Sequence, residues 1–324
     1  MVKRALLLIV LPSVLFANSF SQTEEQFLPS EIKQSTIVTE PVSLNKGFFR
    51  LGSVVAYSVA DKMFNEEGKR VSIMESSWGK DWSYSLLGQY GITDRLQVDL
   101  MIPYRNLSMY NSWNYLLLSQ DQLVDKTWRL KGAGLGDIAL YIRYQLLTEK
   151  SRRPSLVGDL DVTVPTGSKN PTDIKDIFDY RLPTGYGEFD LGLRLQLRKI
   201  IYPVSYSIYT TCKYGFGGTK LFNATDPEEL SFRSGARIDT GGRFSILLND
   251  WIALSNEVNY YYSGKGEVEN IPPDELISSW AVSYEGSLVF QIKQFRIAEA
   301  VRIPVQGANT STDPIYVLIL QYLF

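Results

Sequence analysis

The chain contains no histidine and a single cysteine, Cys212, in 324 residues. One thiol cannot close an intramolecular disulfide, and at that position it cannot carry a lipid anchor near the start of the chain. Without imidazole, the usual proton carrier of triad hydrolases is missing. Only oxygen ligands remain for a metal, and the acidic stretch Glu267–Glu275 lacks the spacing of a calcium loop. No metal and no cofactor are therefore expected. Neither sign of charge is in excess: 33 Lys and Arg stand against 35 Asp and Glu. Such a balance makes no global field to recruit a polyanion, so no nucleic-acid partner is expected. Past residue 21 there is no run of about 18 apolar residues, so nothing there is long and apolar enough to cross a membrane as a helix.

What is present begins with an export signal. Lys3 and Arg4 precede an apolar stretch from Ala5 to Phe16, followed by the small residues Ala17, Ser19 and Ser21. This pattern predicts a signal peptide over 1–21, cleaved near residues 19–21. A dozen apolar residues are too few to span ~30 Å of hydrocarbon as a helical anchor. Residues 22–46 are polar and contain Pro29 and Pro41. They read either as a disordered periplasmic lead-in or as a segment that folds back as a plug.

From residue 47 onward, apolar residues recur at every second position, the period of a strand with one apolar face. Ile138, Leu140, Ile142, Tyr144 and Leu146 alternate with Asp137, Ala139, Tyr141, Arg143 and Gln145; Phe189, Leu191, Leu193, Leu195 and Leu197 alternate with Glu188, Asp190, Arg194, Gln196 and Arg198. Those charges could not share a dry core between two sheets. About twelve such segments start near residues 47, 81, 95, 134, 155, 187, 203, 234, 251, 279, 295 and 314. Short turns near 91–94, 148–153, 199–203, 248–250 and 293–294 alternate with longer links near 61–80, 106–133, 166–185, 218–233, 263–278 and 304–313. An up-and-down path through a bilayer produces this alternation. The last segment sets Tyr316, Leu318, Leu320, Tyr322 and Phe324 on one face and ends the chain on that aromatic.

The expected fold is all-β: a closed antiparallel transmembrane β-barrel of about 12 strands over 47–324, with short periplasmic turns and long extracellular loops. Closure follows because backbone groups at membrane depth need partners and an open sheet has an unpaired edge. The expected setting is the bacterial outer membrane, with lipid and the outer-membrane assembly machinery as partners, the latter through the strand ending in Phe324. Trp82, Tyr90, Tyr104, Tyr144, Tyr202, Trp251, Tyr262, Trp280 and Tyr322 are placed to form interfacial girdles. In segment 295–303 Glu299 falls on the apolar face with Phe295, Ile297, Val301 and Ile303, which casts doubt on that register.

The inward faces carry Arg95, Asp99, Arg143, Asp159, Asp161, Glu188, Asp190, Arg194, Lys213, Arg237, Asp239, Arg243, Glu257 and Glu285, with Tyr141, Tyr209 and Tyr261 among them. Interleaved signs suit a water-filled pore that sorts solutes by size and dipole; they equally suit a salt-bridged interior that fills a narrow barrel. Asp159 and Asp161 share one strand face, and lumen-facing polar residues explain them better than a carboxylate pair doing chemistry. No enzymatic activity is expected. Cys212 lies on an apolar face as a small hydrophobe. Gly132, Gly134 and Gly136 precede a strand rather than open a helix, which speaks against a nucleotide loop.

Three stretches carry a family likeness: Tyr90–Tyr104 (YGITDRLQVDLMIPY), Gly134–Leu146 (GLGDIALYIRYQL) and Val162–Asp173 (VTVPTGSKNPTD). In this order and spacing the chain resembles, over most of 47–324, the outer-membrane family named for the MetA pathway of phenol degradation, whose members are described as transporters. The resemblance implies a monomeric barrel that takes small molecules, aromatic ones among them, in or out of the cell. It supplies no catalytic residues. The expected function is an outer-membrane channel or transporter for small, aromatic or hydrophobic solutes through a mixed-charge lumen. The alternative is a non-conducting structural or adhesive barrel acting through its loops, for which the apolar residues of 106–133, Trp113, Tyr115, Leu116, Leu117, Leu118 and Trp128, argue. A secreted β-sandwich is the third reading.

Overall fold

The computed structural model describes residues 43–72, 78–117, 122–176, 179–221, 228–273 and 276–324. The expected signal peptide and most of the 22–46 segment lie outside the described residues. Twelve strands make the wall: β1 (Phe49–Ala60), β2 (Trp78–Gly91), β3 (Leu96–Leu117), β4 (Ile138–Leu147), β5 (Ser155–Val164), β6 (Asp190–Ile201), β7 (Val204–Gly215), β8 (Arg237–Asn249), β9 (Ile252–Ser263), β10 (Ser279–Ile292), β11 (Phe295–Ala308) and β12 (Ile315–Leu323). Each is antiparallel to its neighbours. β1 pairs with β2 on one side and, from Arg50↔Leu323 to Ser58↔Ile315, with β12 on the other, which closes the ring. At the seam the Phe324 amide donates to the Phe49 carbonyl at 2.8 Å.

The strands start within a few residues of the positions the alternation predicts. The start of β1, the end of β12 and the short turns at 92–95, 148–154, 202–203, 250–251 and 293–294 lie at one mouth, and the long links at the other. Small sheets stiffen the long-loop end: Gly218–Lys220 with Leu230–Arg233 and Glu267–Val268, and Lys62–Phe64 with Arg70–Ser72 and Thr310–Ser311.

Segment 106–133 is not the loop that its length and polarity predict. Gln122–Leu135 pairs with β3 from Tyr104↔Leu135 to Leu117↔Gln122, forming a hairpin that runs on past the last β2 pairing at Tyr110. Its Tyr, Trp and Leu content favours a pleated strand over an irregular loop. The side chains of 111–127 lie outside the described residues, and with them most of the apolar side chains that argued for adhesion.

The wall is inverted relative to a soluble protein. Leu193 is 55% and Leu195 47% exposed on the outside, whereas Asp159 is 3% and Glu257 5% exposed on the inside. The main apolar cluster within is small: Leu247, Ala253, Val289 and Ala298, packed with Ile200 and Ile319 toward the short-turn end. Two aromatic groups mark the borders of the outer band. Phe49, Phe295, Tyr322 and Phe324 contact one another near the short turns. Tyr57, Trp82, Tyr84 and Tyr316 do so near the loops. This is the girdle arrangement of a bilayer-spanning barrel. Cys212 faces outward as expected, and Glu299 also stays outward, opposite Leu288 and Leu318.

If this band meets lipid, Leu195→Arg should cost about 2–4 kcal/mol in a bilayer-embedded barrel. Urea unfolding in lipid vesicles measures it; a cost near zero would place Leu195 outside the hydrocarbon.

Candidate functional site

Period two along each strand sends alternate side chains into the lumen, and the register then lines them up in rows around the wall. One row reads Arg143, Asp159, Arg194, Thr211, Asp239, Tyr261 and Ala281 from β4 to β10. Another reads Ser207, Arg243, Glu257, Glu285 and Arg302. The next row toward the short turns is a belt of Ser205, Ser245, Ser255 and Ser287. Below it lies the apolar patch around Ala253. The lumen thus changes from ionic to hydroxylic to apolar within three rows along this side.

Most of the expected lumen charges are paired across strands. Arg143 grips both oxygens of Asp159, at 2.8 and 3.2 Å. Arg243 meets Glu257 at 2.6 Å, and Arg302 meets Glu285 at 2.8 Å. Lys213 reaches Asp161 at 2.8 Å, and Arg237 binds Asp190. Asp99 accepts from Gln89 at 3.0 Å and from Gln97. Asp239 accepts from Asn259 at 3.1 Å. Charges this sheltered need such partners, because leaving one alone costs several kcal/mol, of order 3–5.

Several contacts span two strands, and inward glycines make that possible. Lys213 crosses β6 over Gly192, where an added Cβ would lie 2.9 Å from Lys213 Cγ and 3.3 Å from Asp161 Cβ. Tyr209 crosses β8 over Gly241, where a Cβ would lie 2.9 Å from its hydroxyl, and donates to Glu257 at 2.7 Å.

Three expected lumen residues are used elsewhere. Arg95 lies exposed in the turn between β2 and β3, because Thr93 closes that turn on the amides of Arg95 and Leu96 before the strand begins. Glu188 precedes β6 and is 1% exposed; it accepts from the amides of Gly217 at 3.0 Å and Ser234 at 2.9 Å, tying two long links together. Asp137, read from the alternation as the first inward residue of its strand, sits before β4 and accepts from the amides of Gly167 at 3.0 Å and Tyr186 at 2.6 Å.

The last contact belongs to a break in the wall. β3 pairs with β4 up to Met101↔Ala139 and with Gln122–Leu135 from Tyr104 onward. Pro103, which has no amide to donate, sits at the change of partner, and its carbonyl accepts from Gly136 at 2.8 Å. On this side β5 pairs with β4 alone, ending at Ile138↔Val164, so above that point link 165–189 fills the space. Thr184 donates to the Leu135 carbonyl at 2.6 Å and Thr166 to the Gly136 carbonyl at 2.9 Å. A Cβ on Gly167 would come within 2.6 Å of Gly185. The G-L-G-D and P-T-G stretches, distant in sequence, thus meet here. Beside them is a cavity of about 250 Å³ lined by Gly134, Thr166, Arg181, Leu182 and Thr184 among others.

At the short-turn mouth, residues 43–46 fold against the lumen opening. Ser43 and Leu44 are buried. The Leu44 amide donates to Gln97 Oε1 at 2.6 Å and the Lys46 amide to Asp94 at 3.1 Å. Gly91 allows it, since a Cβ there would lie 2.1 Å from the Asn45 carbonyl oxygen. At the other end a second cavity, about 260 Å³, is bounded by Asp239, Asn259, Tyr261, Arg302, Pro304 and Asp313 among others.

The outer loops are tied by Glu229, which accepts from Lys169 at 2.7 Å, Thr219 at 2.6 Å and Asn170 at 2.5 Å. The hydrogen bond from Lys169, then those from Thr219 and Asn170, hold its carboxyl down at about 2. Among the described residues no group of three or more acidic or thiol side chains is placed to hold a metal ion.

No protein-family model matches the chain. Among solved structures, the COG4313 outer membrane channel from Pseudomonas putida F1 aligns with a TM-score of 0.64 at 14% identity, over 87% of this chain and 97% of that one. The Ralstonia pickettii toluene transporter TbuX gives 0.43 at 11% identity, over 92% and 94%. The NanC porin gives 0.44 at 8% identity, over 84% and 98%. The first of these likenesses shows the fold.

Replacing Arg237 by Met should destabilise the barrel by about 3 kcal/mol, since it strands Asp190, whereas Arg237→Met with Asp190→Leu should recover most of the loss; urea unfolding of the two variants compares them. A carboxyl depressed on folding adds stability above its unfolded value and loses it as pH falls through the folded one. The Glu229 tie should therefore hold above pH 4.5 and fail between 4.5 and about 2. Hydrogen-exchange protection of the Leu221 amide, which Asn170 holds at 2.8 Å, reads it out; protection unchanged through that window rules the tie out as a source of loop order.

Proposed function

We propose that the chain is an outer-membrane channel or transporter without enzymatic activity, acting as a monomer on small solutes, aromatic or hydrophobic ones among them. The observation that carries this reading is the lumen cavity bounded by Asp239, Asn259, Tyr261 and Arg302, whose volume of about 260 Å³ exceeds the ~150 Å³ that accommodates a single benzene ring in a protein interior. The likeness in fold to an outer membrane channel supports it, as do the three sequence stretches that resemble the phenol-degradation family. On this reading the short-turn mouth faces the periplasm and the long links face outward. The export signal delivers the chain, and the final strand ending in Phe324 engages the assembly machinery. The apolar outer band meets lipid. Segment 43–46, held at the periplasmic mouth by Gln97 and Asp94, narrows the exit.

The projecting hairpin of β3 and Gln122–Leu135 favours a second reading, a barrel that binds surfaces or partners through its loops. Shortening that hairpin separates the two: lost adhesion with unchanged permeability supports the binding role, and altered conductance supports the channel.

In planar bilayers the channel should show discrete openings. Arg143→Gln with Arg243→Gln leaves Asp159 and Glu257 unneutralised, so the reversal potential in a KCl gradient should shift toward greater cation selectivity. A folded barrel that never conducts in any solute gradient would count against the proposal.

A further inference from the structure

Of the inward-facing arginines, Arg194 is the one with no hydrogen bond or ion pair among the described residues. Its guanidinium lies over the Tyr209 ring, 4.1 Å from the centroid. Its Nε is buried with no acceptor. The carboxylate within electrostatic reach is Asp159, opposite it in the register, which Arg143 already holds through two hydrogen bonds. Two further guanidiniums, Arg143 and Arg243, act on Arg194 from either side. Glu257 is engaged by Arg243 and Tyr209, and Asp239, two strands along the same row, accepts from Asn259. A guanidinium flanked by like charges, sheltered from bulk water and without an acceptor, is a costly arrangement that an incoming anion would relieve.

The surroundings specify which anion. A guanidinium presents N–H donors in a planar fork that matches a carboxylate through two parallel hydrogen bonds. Tyr209 holds the plane of that fork by cation–π stacking. Tyr141, also inward and within electrostatic reach of Arg194, has no hydrogen bond or ring contact among the described residues, which leaves its ring face for another flat group. We infer that Arg194, with Tyr209 and Tyr141, is a station in the lumen that binds the carboxylate of small aromatic acids. This deepens the channel reading by naming a solute class, and it rests on that reading only for its role in transport.

The test is binding, independent of conduction. Benzoate is titrated by calorimetry into the refolded barrel in detergent, beside benzamide, cyclohexanecarboxylate and inorganic phosphate. The station should bind benzoate at least tenfold more tightly than benzamide, and more tightly than cyclohexanecarboxylate or phosphate. Arg194→Gln should weaken benzoate binding at least tenfold and Arg194→Lys by less, with the heat-dependent gel shift of a folded barrel intact in both. Tyr141→Leu should remove the preference for benzoate over cyclohexanecarboxylate while keeping that for acid over amide. Equal binding of benzoate and benzamide, or undiminished binding by Arg194→Gln, overturns the assignment. Phosphate binding as tightly as benzoate overturns its aromatic half. A barrel that binds benzoate through Arg194 yet never conducts sinks the channel reading and leaves this one standing; a conducting barrel indifferent to benzoate does the reverse.

Discussion

Backbone hydrogen bonding is the constraint from which the rest of the molecule follows. In hydrocarbon an unpaired amide or carbonyl has no water to turn to. Each wall strand therefore needs a partner on both sides, and the ring must shut at β1 and β12. Closure fixes the register of every strand relative to its neighbours. Register fixes which side chains share a row, and rows determine which charges can reach one another. The ion pairs of the lumen are consequences of the ladder, since Arg143 and Asp159, or Arg302 and Glu285, are opposite one another in the pairing.

Where the ladder is interrupted, other groups take over its task. Above Ile138 and Val164 the wall has no strand-to-strand contact between β5 and Gln122–Leu135. Thr184 and Thr166 there donate their hydroxyls to backbone carbonyls, and Asp137 accepts from backbone amides. The glycines on both sides let the two chain segments approach closely. The stretches that gave the sequence its family likeness are thus, in large part, the fittings of this repair and of the turn at Gly91–Arg95.

The period-two alternation makes the barrel legible in the sequence, because a wall polar on one side and apolar on the other leaves that imprint at every strand. It also placed Arg143, Asp159, Asp161, Arg194, Tyr209, Asp239 and Glu257 on the inner face, where they are found. Parity alone could not show that Arg95, Asp137 and Glu188 fall outside the strands, since strand ends are set by turn hydrogen bonds and not by hydrophobicity. Nor could it show that 106–133 continues as a hairpin, since beyond the wall nothing imposes the two-residue alternation by which the other strands are read. Partners such as Arg302 with Glu285 needed the register, which depends on loop lengths across the whole ring. The inward glycines were visible as small residues on a polar face, yet their use depends on what the next strand over sends across them.

Those glycines carry a consequence for how such a lumen diverges. Gly192 and Gly241 bear no charge, but each is the bridge over which a lysine or a tyrosine reaches its acid. A single methyl group at either position would turn Lys213 or Tyr209 away, leaving Asp161 without its cation or Glu257 without one of its donors. The electrostatic character of the lumen can therefore be retuned from neutral positions, so two barrels with identical charged residues need not carry the same field along their interiors.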